Sequence, residues 1–405
     1  MCSARGPARA SRLAPAGDAV RWRPVLAAAR DPAPEESLRR ELARLLGPAP
    51  LVFRSSGRDA LRMALAALAA ARGRSEVVVP AYTCFSVPAS AVAAGLRVRL
   101  VDVDERGRID LGALAKLPLE RAAAVVVCNL FGVPEPTSGV LRLARAAGAA
   151  VVDDAAQCLG ARTDEGAVGA RADVGLLSFA RGKPLAALGG GAVLLGAPEL
   201  HGLAREAPRT GIGVRARTGA LLRAAAYALA RRPYLFGHLA SLPFLGIGET
   251  PFEPGFGRGP MAGPSFVLAA AAARELEGAR VARCARALAL ARAVEGASAF
   301  RALLADPPGA GAYPRLALQA PSAAARAAAL AGLDAIGAGA SPFYPTALDA
   351  VGGLAPHLAA GTHVPGARDL AARILTLPTH GGLDGRREAR ALAVLAAAAA
   401  GGSRA

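Results

Sequence analysis

The sequence predicts an α/β fold: a large domain with a mostly parallel sheet flanked by helices, then a smaller C-terminal α/β domain. Three observations carry this expectation. Across residues 51–195 short β-rich runs alternate with helical segments, as strand–helix–strand units require. Most of those runs are continuously apolar, which suits strands covered on both faces. Beyond about residue 200 the alternation stops, and it resumes in shorter form from Phe300.

Taken in order, strands are expected at 76–79, 98–103, 124–129, 149–153, 174–179 and 191–195, with helices near 57–72, 86–94, 110–116 and 138–147. Residues 215–247 then hold two apolar patches, Leu221, Leu222, Ala225, Leu229 and Tyr234, Leu235, Leu239, Leu242, parted by Arg231-Arg232-Pro233. They read as two short helices. Their cationic flanks suit an interfacial membrane element. Helical patches in soluble enzymes more often cover a core or interface, so cover over a site entrance or a dimer seam is the expectation. Residues 248–264 are rich in Gly and Pro and read as loop. A long helix is expected over 264–295, a strand over 313–318, and helices over 322–332 and 386–400. The division expected is an N-terminal arm (1–48), a large domain (49–262), and a connecting helix with the small domain (263–405).

Composition narrows the function. Of 405 residues, 53% are hydrophobic and 20% charged, which excludes disorder as the main state. No run of about 18 apolar residues lacks a charge or breaker, which argues against a polytopic membrane protein. The first 30 residues lack the apolar core of a secretory signal. Cys2, Cys84, Cys128, Cys158 and Cys284 are odd in number, with no C-x-x-C; a reduced cytoplasmic setting without disulfides fits best. The five histidines have no metal-ligand spacing, so no metal site is expected. The net charge of +17 attracts polyanions. Its arginines are scattered and aromatics make up only 4%, so no nucleic-acid platform is indicated. The only lysines are Lys116 and Lys183. An amine can form an imine and a guanidinium cannot, so each lysine draws attention.

Three segments carry chemistry together. Ser56-Gly57-Arg58-Asp59 has capping-box spacing ahead of an apolar helix, and free N–H groups at a helix start suit a phosphate. Residues 151–157, Val-Val-Asp-Asp-Ala-Ala-Gln, end a strand in two carboxylates at the sheet edge where such folds bind ligands. Ser178-Phe179-Ala180-Arg181-Gly182-Lys183, followed by Gly189-Gly190-Gly191, sets a lysine in a loop after a buried strand.

With Val79-Pro80-Ala81-Tyr82-Thr83 and Val101-Asp102-Val103-Asp104, these segments resemble the DegT/StrS-type sugar aminotransferases, fold-type I enzymes that use pyridoxal 5'-phosphate. Weaker echoes lie at Leu377-Pro378-Thr379-His380 and Pro342-Phe343-Tyr344-Pro345. The resemblance implies that Lys183 holds the cofactor covalently and serves as base. It implies that Asp154 pairs with the pyridinium nitrogen and that Gln157 lines the cofactor. Ser178 and the turn of Ser56, Gly57 and Arg58 take its phosphate. The family's ring-stacking aromatic follows its P-x-x-T run, where this chain has Cys84, leaving Tyr82 or Phe85 as alternatives. The family's later Asn that reaches the partner subunit's phosphate has no counterpart, because Asn129 is the only Asn. Residues 201–262 look longer and more apolar than usual. The implied activity is transfer of an amino group, with glutamate as donor, to a nucleotide-linked keto sugar by a homodimer. The alternatives are a lyase or dehydratase of the same fold, or a non-catalytic PLP-binding regulator. The family's dehydratases carry His in place of this lysine, and the full set of site residues opposes the regulator. His380 reads as structural.

Overall fold

The computed structural model describes residues 11–205, 211–242, 246–247 and 251–401. Cys2, residues 243–245 of the 215–247 segment and part of the Gly/Pro-rich loop (248–250) lie outside the described residues. Twelve strands form three sheets among them. The main sheet contains β1 (Leu51–Arg54), β2 (Glu76–Pro80), β3 (Arg97–Val101), β4 (Ala122–Cys128), β5 (Ala150–Asp154), β8 (Val174–Ser178) and β9 (Gly191–Leu195). Its order is β1-β9-β8-β5-β4-β2-β3. The β8-β5-β4-β2-β3 pairs are parallel, and β1 and β9 add an antiparallel edge. A small ribbon, β6 (Arg162–Thr163) with β7 (Gly166–Ala167), hangs from the loop after β5.

The apolar runs are strands because both faces are covered: every residue of β4 and of β5 is buried. Helices α3 (Gly57–Arg72) and α4 (Ser86–Ala93) lie on one face, the short α5 (Leu111–Ala115) and α6 (Ser138–Ala146) on the other. Ahead of the sheet, within the expected N-terminal arm, come the helices α1 (Trp22–Arg30) and α2 (Pro34–Leu46). Their Val25, Leu38 and Leu42 are buried with α10 residues Phe266 and Leu276.

Beyond β9 come the short α7 (Gly202–Arg205), then α8 (Val214–Ala230) and α9 (Pro233–Ser241), the two helices expected from the apolar patches. Only small residues of α8 are buried, Ala220 and Ala224. Leu222, Leu229, Tyr234 and Leu235 point outward, with Leu222 66% exposed. The 35-residue α10 (Gly263–Ala297) spans roughly 50 Å at 1.5 Å per residue. It joins the large core through Phe266 and Leu276 and a second core through Leu290 and Val294.

That second core belongs to the antiparallel sheet β10 (Arg301–Leu303), β11 (Arg315–Gln319) and β12 (Ile374–Pro378). Helices α11 (Ala323–Ala335) and α13 (Gly385–Gly401) cover its outer face, where Leu316 and Leu318 are buried. On β11 the alternate residue Ala317 belongs instead to the core on the α3 and α4 face of the main sheet, beside Tyr344 and the end of α12 (Pro365–Arg373). The small sheet therefore presents one face to its own helices and the other to the large sheet. Residues 11–18 cross between them: Leu13 is buried in the small core, and Asp18 pairs with Arg283 of α10.

Candidate active site

The C-terminal ends of β2, β4, β5 and β8 form one edge of the sheet. Register sets Cys128 beside Asp154, Asp154 beside Leu176, and Ser178 beside Gly191. Because side chains alternate along a strand, Asp153 and Asp154 face opposite sides of the sheet. Asp153 is 0% exposed and fully engaged: Oδ1 accepts from Asn129 Nδ2 (2.8 Å) and an Arg171 terminal nitrogen (2.9 Å). Its Oδ2 accepts from Gly169 N (2.7 Å) and Arg171 Nε (2.9 Å). Asp154 is 9% exposed, and among the described residues its carboxylate accepts only from Ala156 N (2.9 Å). Burial pushes its carboxyl up to about 6, against the Ala156 N–H and the Lys183 ammonium, which pull it down. Lys183 is thus within electrostatic reach of Asp154.

Lys183 sits half-buried in the turn after β8, with its N–H bonded to Ala180 O (3.3 Å). The arm reinforces that turn, since Gly17 packs between Gly182, the Tyr227 side chain of α8 and the Arg231 side chain just past its end. A side chain at Gly17 would collide with both. The same elements enclose a cavity of about 110 Å³ walled by Lys183, Asp18, Arg21, Tyr227 and Glu275. Here α8 covers the lysine turn with its inner face and leaves Leu222 and Leu229 outside.

Gly57 opens α3 directly over Ser178. A Cβ on Gly57 would lie 3.0 Å from Ser178 Cβ, and one on Gly191 would lie 2.4 Å from Gly57 N. Glycine at both positions lets the helix start, the β8 hydroxyl and the β9 backbone converge. Ser56 is the N-cap, its hydroxyl accepting from Asp59 N (3.2 Å), so its side chain is spent on the helix. Asp59 is buried, which alone would raise its carboxyl. The Gly259 N–H and Arg54 and Arg62 bring it below the usual range. Arg58 sends its guanidinium over the Phe256 ring (5.1 Å) toward Glu253 (3.7 Å). Its backbone N–H stays at the helix start.

After β2, Tyr82 is fully buried and donates to Tyr344 O (3.3 Å), so its ring belongs to the core. Phe85 is buried against Tyr344 with ring centroids 6.1 Å apart. Cys84 is the partly exposed member of the three and accepts from Ser86 Oγ (2.9 Å). Thr83 Oγ1 is buried without a hydrogen-bond partner. Cys128, beneath, has its thiol pushed well up by burial and by the charge of Asp154. Gln157 is fixed at both ends: Oε1 accepts from Phe131 N (3.1 Å) and Nε2 donates to Tyr344 OH (3.1 Å).

Lys183, Asp154, Gln157, Cys84, Ser178 and the start of α3 therefore converge on one sheet edge. Sequence reasoning did not assign Tyr344, which only the weak Pro342–Pro345 echo marks, nor the Arg171 clamp on Asp153. Asn129 lies in that clamp: its Oδ1 accepts from Glu135 N and Arg171, and its Nδ2 also donates to Asp154 O. His380 is structural in geometry. Nε2 donates to Ala14 O (2.7 Å) and Nδ1 accepts from Gly382 N (3.1 Å), and burial lowers its pKa.

Residues 33–228 match the model of the DegT/DnrJ/EryC1/StrS aminotransferase family. The chain is 34% identical over 160 residues to the UDP-N-acetyl-3-dehydro-alpha-D-glucosamine 3-aminotransferase of Acidithiobacillus ferrooxidans, covering 39% of this chain and 43% of that one. It is 35% identical over 148 residues to the dTDP-3-amino-3,4,6-trideoxy-alpha-D-glucose transaminase of Streptomyces venezuelae, covering 36% and 39%. The matches thus span about two fifths of these curated relatives. The fold extends further: the aminotransferase TlmJ from Streptoalloteichus hindustanus superimposes with a TM-score of 0.73 at 22% identity, over 96% of this chain and 99% of that one. Residues 33–228 of this chain are thus similar to the DegT/DnrJ/EryC1/StrS aminotransferase family.

Proposed function

We propose that this protein is a pyridoxal 5'-phosphate-dependent aminotransferase that moves an amino group from glutamate to a nucleotide-linked keto sugar. One observation carries the reading. Asp154 is buried with only the Ala156 N–H and the Lys183 charge to favour its ionised form, so an acid and an amine wait in one place. The nucleotide sugars in the names of both curated relatives support the acceptor class.

The site fits the cofactor. The Gly57–Ser178–Gly191 convergence is a cradle that a Cβ would fill, and the Thr83 hydroxyl is an unsatisfied polar group beside it in sequence to Cys84. The N–H groups of Gly57 and Arg58, at the positive end of α3, receive the phosphate together with the Ser178 hydroxyl. Asp154 would keep the cofactor's ring nitrogen protonated, its carboxylate pairing with the cation so formed. Gln157 is held for a contact along the ring by Phe131 and Tyr344. Cys84 takes the place of a ring-stacking residue, while Tyr82 and Phe85 support Tyr344 from behind. The cofactor, when bound, supplies an electron sink for the bond broken at the donor's α-carbon. The Lys183 amine would hold the cofactor's aldehyde group and, with the donor in place, would be the base that carries the donor's α-proton.

The same family reading supports a homodimer in the cytoplasm, with the arm 1–48, the large domain 49–262 and the small domain 263–405 as its units. Absorbance tests the chemistry. Wild-type protein given pyridoxal 5'-phosphate gains a visible band, which Lys183→Ala lacks and which glutamate discharges in a single turnover. A wild type that stays colourless, or whose band survives glutamate, overturns the reading.

A further inference from the structure

The outer side of α8 and α9 is apolar and open to solvent. Of the ten large apolar side chains exposed among the described residues, six fall within this pair and its flanks: Val214, Leu222, Leu229, Tyr234, Leu235 and Leu242. Leu222, Ala226 and Leu229 recur at intervals of four and three and so share one stripe of α8, while Ala220 and Ala224 are buried on the other side. Trp22 and Leu26, one turn apart on α1, supply two more of the ten, and α1 packs on α8. The pair is fixed from beneath. Pro233 O accepts from Arg12 N (2.9 Å), Ala29 O from Arg217 (2.8 Å) and Asp18 O from Arg231 (2.7 Å).

Charge decides what this face fits. Residues 211–242 hold five arginines and no acid. Arg217 and Arg231 are spent inward on those carbonyls, whereas Arg215, Arg223 and Arg232 are exposed beside the leucines. Arg23 and Arg30 are exposed on α1 in the same way. A second copy of the chain would bring the same arginines and no acid, setting cation on cation across a two-fold seam. An anionic phospholipid surface meets both halves of the pattern. Acyl chains take the leucines, headgroup phosphates take the arginines, and Trp and Tyr are the rings that settle at that boundary. No helix of the described residues is long and apolar enough to cross a membrane. At 17 residues, α8 is about 25 Å of helix suited to lie in the plane of the headgroups.

We propose that the outer face of α8 and α9, extended by α1, docks on an anionic phospholipid membrane. The inner face of α8 covers the Lys183 turn, so docking sets the candidate active site about one helix diameter, roughly 10 Å, from the headgroups. This surface is independent of the aminotransferase chemistry and goes beyond it.

Sedimentation of the full chain with phosphatidylcholine vesicles, with and without phosphatidylglycerol, tests the docking. Wild type is expected to pellet with the phosphatidylglycerol vesicles, to stay in solution with phosphatidylcholine alone, and to be released as salt rises. One arginine near an anionic surface strengthens binding about fivefold, so Arg223→Gln with Arg232→Gln should weaken it roughly twenty-five-fold. Leu222→Ser with Leu229→Ser should weaken it at least as much. The whole chain is cationic, so an equal charge loss elsewhere is the control. Arg121, just ahead of β4, and Arg142 on α6 are exposed, and changing both to Gln should alter binding by less than about twofold. All six positions are exposed, and each double variant should keep the wild-type unfolding midpoint. A control that loses as much as Arg223→Gln with Arg232→Gln assigns binding to net charge and overturns the surface. Wild type that does not pellet, or a leucine variant that pellets like wild type, overturns it too. A leucine variant that turns a dimer into a monomer in light scattering, with wild type binding no vesicles, gives the face to a second copy.

Discussion

The two faces of β5 at its end set neighbouring aspartates in opposite conditions. On one face Asp153 receives four hydrogen bonds, two of them from Arg171, and no lone pair is left for a ligand. On the other, Asp154 meets burial, one N–H and an amine. Two chemically identical side chains, one residue apart, are thereby sorted into a structural ion pair and a poised acid. A buried carboxylate is held ionised by hydrogen bonds and charge, and raised when these are withheld. The pleat of a single strand decides which residue receives them.

The largest effect expected from breaking this contrast is on the Asp153 side. Arg171→Met leaves a buried carboxylate without its cation and should cost roughly 3–5 kcal/mol of unfolding free energy in urea titrations. A loss below about 1 kcal/mol would mean that the clamp is not structural. On the other face Asp154→Asn should keep the fold while lowering kcat on the order of a hundredfold or more. A variant that unfolds, or one that stays fully active, would erase the distinction between the faces.

pH sharpens the comparison at a smaller scale. The Asp154 carboxyl, at about 6 in the folded cofactor-free protein, lies above the ordinary value near 4 of an unfolded chain. The folded state therefore binds the proton more tightly. This group's contribution is fully present below about pH 4 and is lost as pH rises through about 6. Glu135, raised to about 8 chiefly by burial, adds a loss of the same sign at higher pH. The stability of wild type relative to Asp154→Asn should fall by on the order of 2–3 kcal/mol between pH 4 and 7 without cofactor. With cofactor bound the dependence should shrink, because a cationic ring then favours the ionised carboxylate. A difference that rises with pH would contradict the burial argument.

The smallest stability effect is expected far from both faces. Leu222→Ser with Leu229→Ser, on the exposed side of α8, should change unfolding free energy by no more than about 0.5 kcal/mol. If that face is the dimer seam, light scattering will show the double variant as a monomer. Wild-type binding to phosphatidylglycerol vesicles, lost in the variant and weakened by salt, would assign the face to a lipid surface instead. Residues 211–242 carry five arginines and no acid, which favours that outcome.

Much of the fold was legible because its signals are local. The apolar runs and helix starts predicted α3 over 57–72 and β9 over 191–195 as they are observed, and α10 to within two residues. The helices α1 and α2 lie within the segment assigned only as an N-terminal arm, and they are secured by packing on α10. Lys183, Ser178 and the Asp153-Asp154 pair could also be singled out as candidates, since an isolated lysine, a serine near Gly-rich backbone and paired carboxylates each carry their chemistry in the residue type, whereas the choice of Asp154 came from the family resemblance.

What the sequence alone determined, then, is the layered α/β order and the short list of reactive groups. Tertiary structure decided how those groups divide: that Asp153 is consumed by Arg171 while Asp154 is not, and that Ser56 is spent as a cap while Ser178 faces Gly57. It also decided that Tyr82 is core while Tyr344, more than 250 residues later, reaches Gln157. The reason is physical. Periodicity and turn chemistry act between near neighbours, whereas burial, hydrogen-bond saturation and charge pairing are set by whichever distant segment arrives alongside.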